Sequence, residues 1–420
     1  MMKKMATLLC GLCIASLASA QEIELTPVEK LEQKTEILEN EIIKLKKLKI
    51  SGYIQSQYQY GEKASSLKVG SGNENAEESY DRIGIRRGRI KLVYEEGIAS
   101  GTFQIDLTEK GLGLKDAYLN VKDPWFQSNQ LRAGVFDRPF GNEISYSSSR
   151  RESPERSTIF QTLFPEERDL GAMLVLQAPK TSVWNVVKLE AGWFAGNGIK
   201  AETDSRKDFI SHLSAGKPIG SDGAWGVGIS YYNGSVYQGT KNVYTMKDNS
   251  FVLNEADDNK GKYAKREYVG FDGQFSILSP AGLTQLRAEY LFGQQPGTDK
   301  STKSPNVATL PTADTYIRDF KGGYVIFVQD LGQSPFSAVL KYDWYDPNTK
   351  VSGDETGQNG TTKTDLSFNT FGFGALWRIN NNLRLQAFYE INKNETTANI
   401  DNMKEDVKDN VFTLRLQYKF

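Results

Sequence analysis

Cysteine is nearly missing from this 420-residue chain: there are two, Cys10 and Cys13, and both fall within the first twenty residues. Those twenty carry Lys3 and Lys4, an apolar run from Met5 to Leu17, and then Ala18-Ser19-Ala20, the make-up of a secretory signal cut before Gln21. The run is shorter than the roughly 18 residues a spanning helix needs. Cys10 follows Leu9 and Cys13 follows Leu12, so neither has the small preceding residue of a lipid-attachment site. The mature chain is thus expected to hold no thiol. That excludes disulfides, thiol chemistry and cysteine-ligated metal, and an exported chain of this kind suits a periplasmic or outer-membrane destination.

Histidine is scarcer still, with His212 alone, inside the strand-like stretch F-I-S-H-L-S-A-G-K. No G-x-S-x-G elbow stands near it and no H-E-x-x-H occurs, so a hydrolase or metalloprotease reading has nothing to build on. The acidic pairs Asp257-Asp258 and Glu166-Glu167 read as solvated loop charges. Neither enzymatic activity nor a metal or cofactor is expected. Charge of one sign is missing too: setting Lys3 and Lys4 aside from 51 basic residues leaves 49 against 52 acidic ones, which argues against nucleic-acid binding. No segment beyond the signal is apolar enough for a spanning helix. If the chain crosses a membrane it does so as a closed barrel, because only closure satisfies the backbone hydrogen bonds in lipid.

What the chain has is aromatics, with 6 Trp, 20 Tyr and 21 Phe, together with 38 Gly, in a period-two pattern. The last stretch is the clearest: Phe412, Leu414, Leu416, Tyr418 and Phe420 point to one face, and Thr413, Arg415, Gln417 and Lys419 to the other. Such a strand suits lipid outside and water inside; an amphipathic edge strand of a soluble sandwich is the competing reading. Its aromatic end resembles the signal read by the outer-membrane assembly machinery, with Phe420 as the contact.

Sixteen such stretches recur. Five precede residue 137: 51–60, 83–94, 99–106, 116–121 and 131–135. Eleven follow residue 169, starting near Leu170, Trp184, Phe209, Trp225, Tyr268, Leu283, Gly322, Phe336, Leu366, Leu383 and Val411. Long polar stretches (233–265, 294–319, 346–363, 393–409) alternate with tight turns such as Asn380-Asn381-Asn382, the asymmetry of a transmembrane barrel. Trp125, Trp184, Trp193, Trp225, Trp344 and Trp377 are candidates for its aromatic belts. In the second stretch Arg87, Arg89 and Lys91 share the inner phase at about 6.8 Å spacing. The apolar phase slips between Ile85 and Ile90, where Gly88 is the expected bulge. Residues 137–169 break the alternation with a long charged loop, the kind that carries function. Before the barrel, Val28, Leu31, Thr35, Leu38, Ile42 and Leu45 form an a/d seam of about three heptads, a short coiled coil that implies an oligomer, or else a lone amphipathic helix.

Four stretches together resemble the phosphate-selective porin O and P family. They are Ile85-Arg86-Arg87-Gly88-Arg89; the run Gly134 to Glu143 (G-V-F-D-R-P-F-G-N-E) followed by Ser153-Pro154-Glu155-Arg156-Ser157; Trp193 to Gly198; and Lys341 to Pro347. The resemblance spans about residues 50–420. It implies a sixteen-stranded outer-membrane barrel, assembled as a homotrimer, whose third extracellular loop folds inward. It also implies an anion ladder onto which Arg86 and Arg87 map best, and small anionic solutes such as phosphate and polyphosphate. The first strand departs from the pattern, since Ser51–Tyr60 has no basic residue.

The expected organisation is a signal over 1–20, a periplasmic helical segment over 21–48, and an all-β, 16-stranded antiparallel transmembrane barrel over 49–420 with an inward loop at 137–169. Pore-lining candidates are Arg86, Arg87, Arg89 and Lys91, whose guanidiniums suit phosphate by paired hydrogen bonds and weak hydration. A wet wall paired with Asp106, Asp116 or Glu289 is the plainer reading of the same row. Constriction-loop candidates are Arg138, Glu143, Arg150, Arg151, Glu155 and Arg156. The loop holds five Arg against seven acids, a mixture that sets a transverse field without selecting anions. A general or cation-leaning porin, or a structural barrel tethering the envelope, therefore stands beside the anion-preferring one.

Overall fold

The structure is a computed structural model describing residues 27–420, so the expected signal lies outside the described residues. The chain divides into two units at Lys47 and Leu48. The described part of the first is helix α1 (Pro27–Lys47), whose last turn gathers Lys44, Lys46 and Lys47 where the helix dipole favours cations. The seam residues Leu31, Leu38 and Ile42 are exposed on it; the side chains of Val28 and Leu45 lie outside the described residues.

The second unit is built from strands β1 (Leu48–Gly61), β2 (Tyr80–Glu96), β3 (Ala99–Thr108), β4 (Gly111–Lys122), β5 (Gln130–Asp137), β6 (Arg168–Gln177), β7 (Val187–Phe194), β8 (Asp208–Ile219) and β9 (Gly223–Tyr237). A hairpin follows, β10 (Asn242–Lys247) and β11 (Ser250–Glu255). Then come β12 (Tyr263–Ser279), β13 (Gly282–Gly297), β14 (Thr315–Asp330), β15 (Phe336–Asp346), β16 (Phe368–Arg378), β17 (Leu383–Asn394) and β18 (Val411–Lys419). Each barrel strand pairs antiparallel with its sequence neighbour, and β9 skips the hairpin to pair with β12. The circle closes where β18 meets β1, from Tyr53 opposite Lys419 to Gly61 opposite Val411. Closure leaves no edge, the condition for a sheet to sit in hydrocarbon. All sixteen expected strands are present; the hairpin, hidden in the polar stretch 233–265, is an addition the alternation did not reveal.

Strand β18 shows the two faces plainly. Thr413, Arg415 and Gln417 are buried inside, while Leu414, Leu416, Tyr418 and Phe420 are exposed on the outer wall. Trp125, Trp184, Trp193, Trp225 and Trp377 are also exposed, although Trp184 sits in a short 3-10 turn (Val183–Val186) before β7. Connections are long at one end of the barrel and short at the other, the exception at the loop end being the two-residue link between β3 and β4.

The register of β2 corrects one expectation. Gln55 faces Arg87 and Ser56 faces Ile85, so the extra residue is Arg86 and not Gly88. A bulge leaves its residue unpaired and turns it out of the pleat. Here it lets two successive arginines serve the same side.

The interior is not uniformly wet. Between β5 and β6 the chain turns into the barrel, carrying helix α2 (Thr158–Leu163). Ile159, Phe160, Leu163 and Phe164 are buried against Phe194, Tyr232, Tyr268, Phe320, Tyr324 and Tyr345 of the wall. Phe164 packs edge-on to Tyr268 and Tyr232, with centroids 5.8 and 6.0 Å apart, and beside Phe140 at 4.9 Å. Each such aromatic contributes about 0.5–1.5 kcal/mol per pair beyond its burial. The aromatic cluster thus fixes one side of the loop to the β6–β15 wall, and polar contacts such as Tyr53 and Gln55 to Ser148 and Gln417 to Ser149 hold its other side to β1 and β18.

Candidate functional site

The inner face of β1 has no charge, but it is not idle. Gln55, Gln57 and Gln59 are buried in a row along it. The Gln55 side-chain oxygen accepts from Arg87 Nη1 at 3.0 Å, and that of Gln57 accepts from Arg415 Nε at 2.8 Å and Nη2 at 2.6 Å. The strand that departs from the basic pattern supplies the acceptors that orient arginines on both neighbours.

These guanidiniums converge on one loop carboxylate. Glu155 accepts from Arg86 Nε at 2.8 Å and Nη2 at 2.9 Å, from Arg87 Nη2 at 2.9 Å and from Arg415 Nη2 at 2.9 Å. Burial opposes its ionisation, but Arg86, Arg87 and Arg415 outweigh it and hold Glu155 well below the usual carboxylate range. Arg415 is the residue that sequence reasoning placed on the inner phase and left out of the site.

The rest of the loop is braced in the same way. Glu143 accepts from the Ser157 backbone N–H and hydroxyl, each at 3.1 Å, and from Lys341 Nζ at 3.4 Å. Lys341 also donates to the Glu155 carbonyl at 3.3 Å, and Asp343 accepts from Thr158 N at 3.1 Å. Arg156 donates to the Glu143 carbonyl at 2.7 Å and pairs with Glu167. Arg168 donates to Asp116 at 2.9 Å and to Glu167 at 2.9 Å. Burial again opposes ionisation of Glu167, which Arg156 and Arg168 keep well below its ordinary range. Near the loop's start Asn142 donates to Asp272, which is bonded to His212 Nε2 at 2.8 Å, so the lone histidine supports the loop from the wall.

Two cavities flank this brace. One of about 370 Å³ at the short-turn end is lined by Arg89, Lys91, Arg150, Arg156, Arg168 and Lys419, with Asp116 and Asp137 as its acids. The other, about 220 Å³ at the long-loop end, has Lys68, Arg156 and Lys393 against Glu155, Asp343, Glu390 and Asp409. Arg156 lines both, marking the narrow place between them.

Arg86 and Arg87 grip Glu155; Arg89 pairs with Asp106 at 3.1 Å, as the plainer reading of the row had it. Lys91 and Arg150 face the short-turn cavity with no ion pair among the described residues. Arg138 is not at the opening: it is buried under the loop, donating to the carbonyls of Pro165 (3.1 Å) and Arg168 (3.2 Å) with its guanidinium over the Phe164 ring. Arg151 is buried, bordering a further cavity beside the loop. Lys341, Arg168 and Lys419 complete the site without having been singled out. Three of the four resembling stretches, centred on Arg86, on Glu143 to Ser157 and on Lys341, meet at this one place.

Neither a scan against protein-family models nor a search of curated proteins finds a match. Solved structures are similar in fold. OmpT of Vibrio cholerae in its trimer form is 12% identical over 89% of this chain and 99% of that chain, with a TM-score of 0.52. The outer membrane channel DcaP of Acinetobacter baumannii is 12% identical over 89% and 97%, with a TM-score of 0.52. OmpF of Salmonella typhi, in complex with daunomycin, is 12% identical over 89% and 97%, with a TM-score of 0.54. The chain has the closed sixteen-stranded fold of these outer-membrane proteins.

Proposed function

We propose that this protein is an outer-membrane porin, a homotrimer that passes small solutes by diffusion and prefers anions, phosphate among them. The observation that carries the preference is the set of cations in the short-turn cavity. Paired charges largely cancel: Arg168 faces Asp116 and Asp137, Arg89 faces Asp106, and Arg156 faces Glu167. Lys91, Arg150 and Lys419 have no carboxylate partner among the described residues. Three uncompensated cations in a confined wet space raise the local concentration of anions. They form no closed pocket, and shallow binding shared over several groups is what passage requires.

The long-loop cavity favours a second reading, a general porin, because its four acids outnumber its three bases. A planar bilayer separates the two. In a salt gradient at about 0.1 M, where charges act over about 10 Å, the reversal potential is expected to be anion-selective, and the preference should shrink at 1 M. Phosphate titrated against the chloride current should reduce it. Lys91→Glu with Arg150→Glu should move the reversal toward cations. A neutral or cation-selective wild type without phosphate block rules out the anion preference and leaves a general porin; no conductance at all favours the tethering barrel.

A further inference from the structure

Arg151 differs from the other loop arginines. It is buried at 3% exposure, yet none of its three guanidinium nitrogens has a hydrogen-bond partner among the described residues. The acids around it are committed elsewhere. Glu152 is paired with Arg287 and accepts from the Tyr146 hydroxyl at 2.9 Å. Glu143 is held by Ser157 and Lys341, and Glu155 by Arg86, Arg87 and Arg415.

The side chain borders a cavity of about 260 Å³ beneath the loop, closed on its other side by Gln274 of β12, Arg287 of β13, and Tyr324 and Ile326 of β14. With a water occupying roughly 30 Å³, several small occupants fit. Arg150, Arg151 and Arg287 border it against Glu143 alone, so it is positive overall. Burial, together with Arg156 and Arg87 nearby, drives the Arg151 guanidinium well below its ordinary range, a sign that the position calls for a counter-charge. A buried charge without a partner is among the costliest arrangements a fold can hold.

We propose that this cavity is a binding site for a small inorganic anion, of chloride to phosphate size, held by Arg151. The cavity borders the short-turn one through Ser145, Tyr146 and Arg150, but its far wall is β12 to β14, whereas the braced opening lies against β1, β2 and β18. A bound anion there completes the coordination of Arg151 and fixes the stretch Ser147–Ser153, which borders both this cavity and the short-turn one.

Bromide is the probe. Crystals of the full chain soaked in bromide are expected to show an anomalous peak within hydrogen-bond distance of the Arg151 guanidinium. The peak should vanish in Arg151→Gln and remain in Arg151→Lys, which keeps the charge. A wild-type map with bromide along the passage only, or nowhere, overturns the site, as does a peak that survives Arg151→Gln. The wild-type map needs no variant to fold, so the question stays decidable whatever the substitutions do. The reversal potential keeps this site apart from the selectivity reading: a peak at Arg151 in a channel that favours cations upholds the site and ends the anion preference, and an anion-selective channel with no peak does the reverse.

Discussion

Glu155 on the loop and Arg415 on the last strand, 260 positions apart, meet at 2.9 Å. The contact ties the inward loop to the strand that closes the barrel, and Arg86 and Arg87 hold the same carboxylate from the second strand. One acid therefore bridges three guanidiniums, and the cluster keeps a net positive charge.

Replacing that acid tests the arrangement. Glu155→Gln leaves three cations facing one another and is expected to destabilise the folded state by about 3 kcal/mol, the lower part of the range for breaking a buried pair, since water reaches Arg86. The same change adds net positive charge at the passage, so the reversal potential should move further toward anions. Denaturation in detergent and bilayer recordings measure the two effects. If both stay at wild-type values, Glu155 is not the brace described here.

The acid response follows from the loop carboxylates. Glu155 and Glu167 have folded-state pKa values well below their ordinary ones. The stability they contribute is present above the unfolded pKa of about 4.3 and is lost only as pH falls through the lower folded values. Asp409, in the loop before β18, behaves oppositely: burial and the neighbouring Asp406 and Glu62 push it up to about 6. Lowering pH from 7.5 to 5 is thus expected to protonate Asp409 while the brace holds. Anion preference should rise as pH falls, unitary conductance should change little, and Asp409→Asn should make the rise smaller. Loss of conductance across that interval would contradict the assignment.

Much of this was legible in the sequence because period-two alternation is a strictly local signal. Leu414 and Arg415 declare opposite faces from neighbouring positions, and all sixteen strands announce themselves in this way. The bulge was misplaced by two residues because a slip in phase shows that one residue is extra, not which; only pairing with Gln55 and Ser56 assigns it to Arg86. The aromatic half of the interior was missed for another reason. Tyr232, Tyr268 and Tyr324 sit on the inner phase, where tyrosine reads as polar, and their burial depends on Phe160 and Phe164 arriving from a loop with no periodicity of its own. Pairings between distant charges, such as Glu143 with Lys341, leave no local trace at all.

The helical segment offers a separate test. Leu31, Leu38 and Ile42 are exposed at 66%, 57% and 49% along one seam of α1. Packing in an oligomer would cover them, at about 1.5–3 kcal/mol for each fully buried side chain. Leu38→Asp is therefore expected to weaken subunit association, read by cross-linking or native mass spectrometry, without altering the heat resistance of the barrel. Unchanged association would place the oligomer contacts on the barrel wall instead.

In the proposed channel the width of the passage depends on what holds the loop, and two sets of contacts compete for that role. The polar brace fixes its outer edge through Glu155, while the aromatic cluster fixes its back through Phe160 and Phe164. Phe164→Ala removes a fully buried ring in contact with Phe140, Tyr232 and Tyr268, a change that costs about 3–5 kcal/mol in well-packed cores. If the cluster sets the loop's position, the variant should show larger unitary conductance with more open-channel noise. Phe371→Ala, on the outer wall and 44% exposed, is the control and should conduct like the wild type. Wild-type conductance from Phe164→Ala would instead assign the loop's position to the ion pairs alone, and Glu155→Gln should then be the variant that widens the passage.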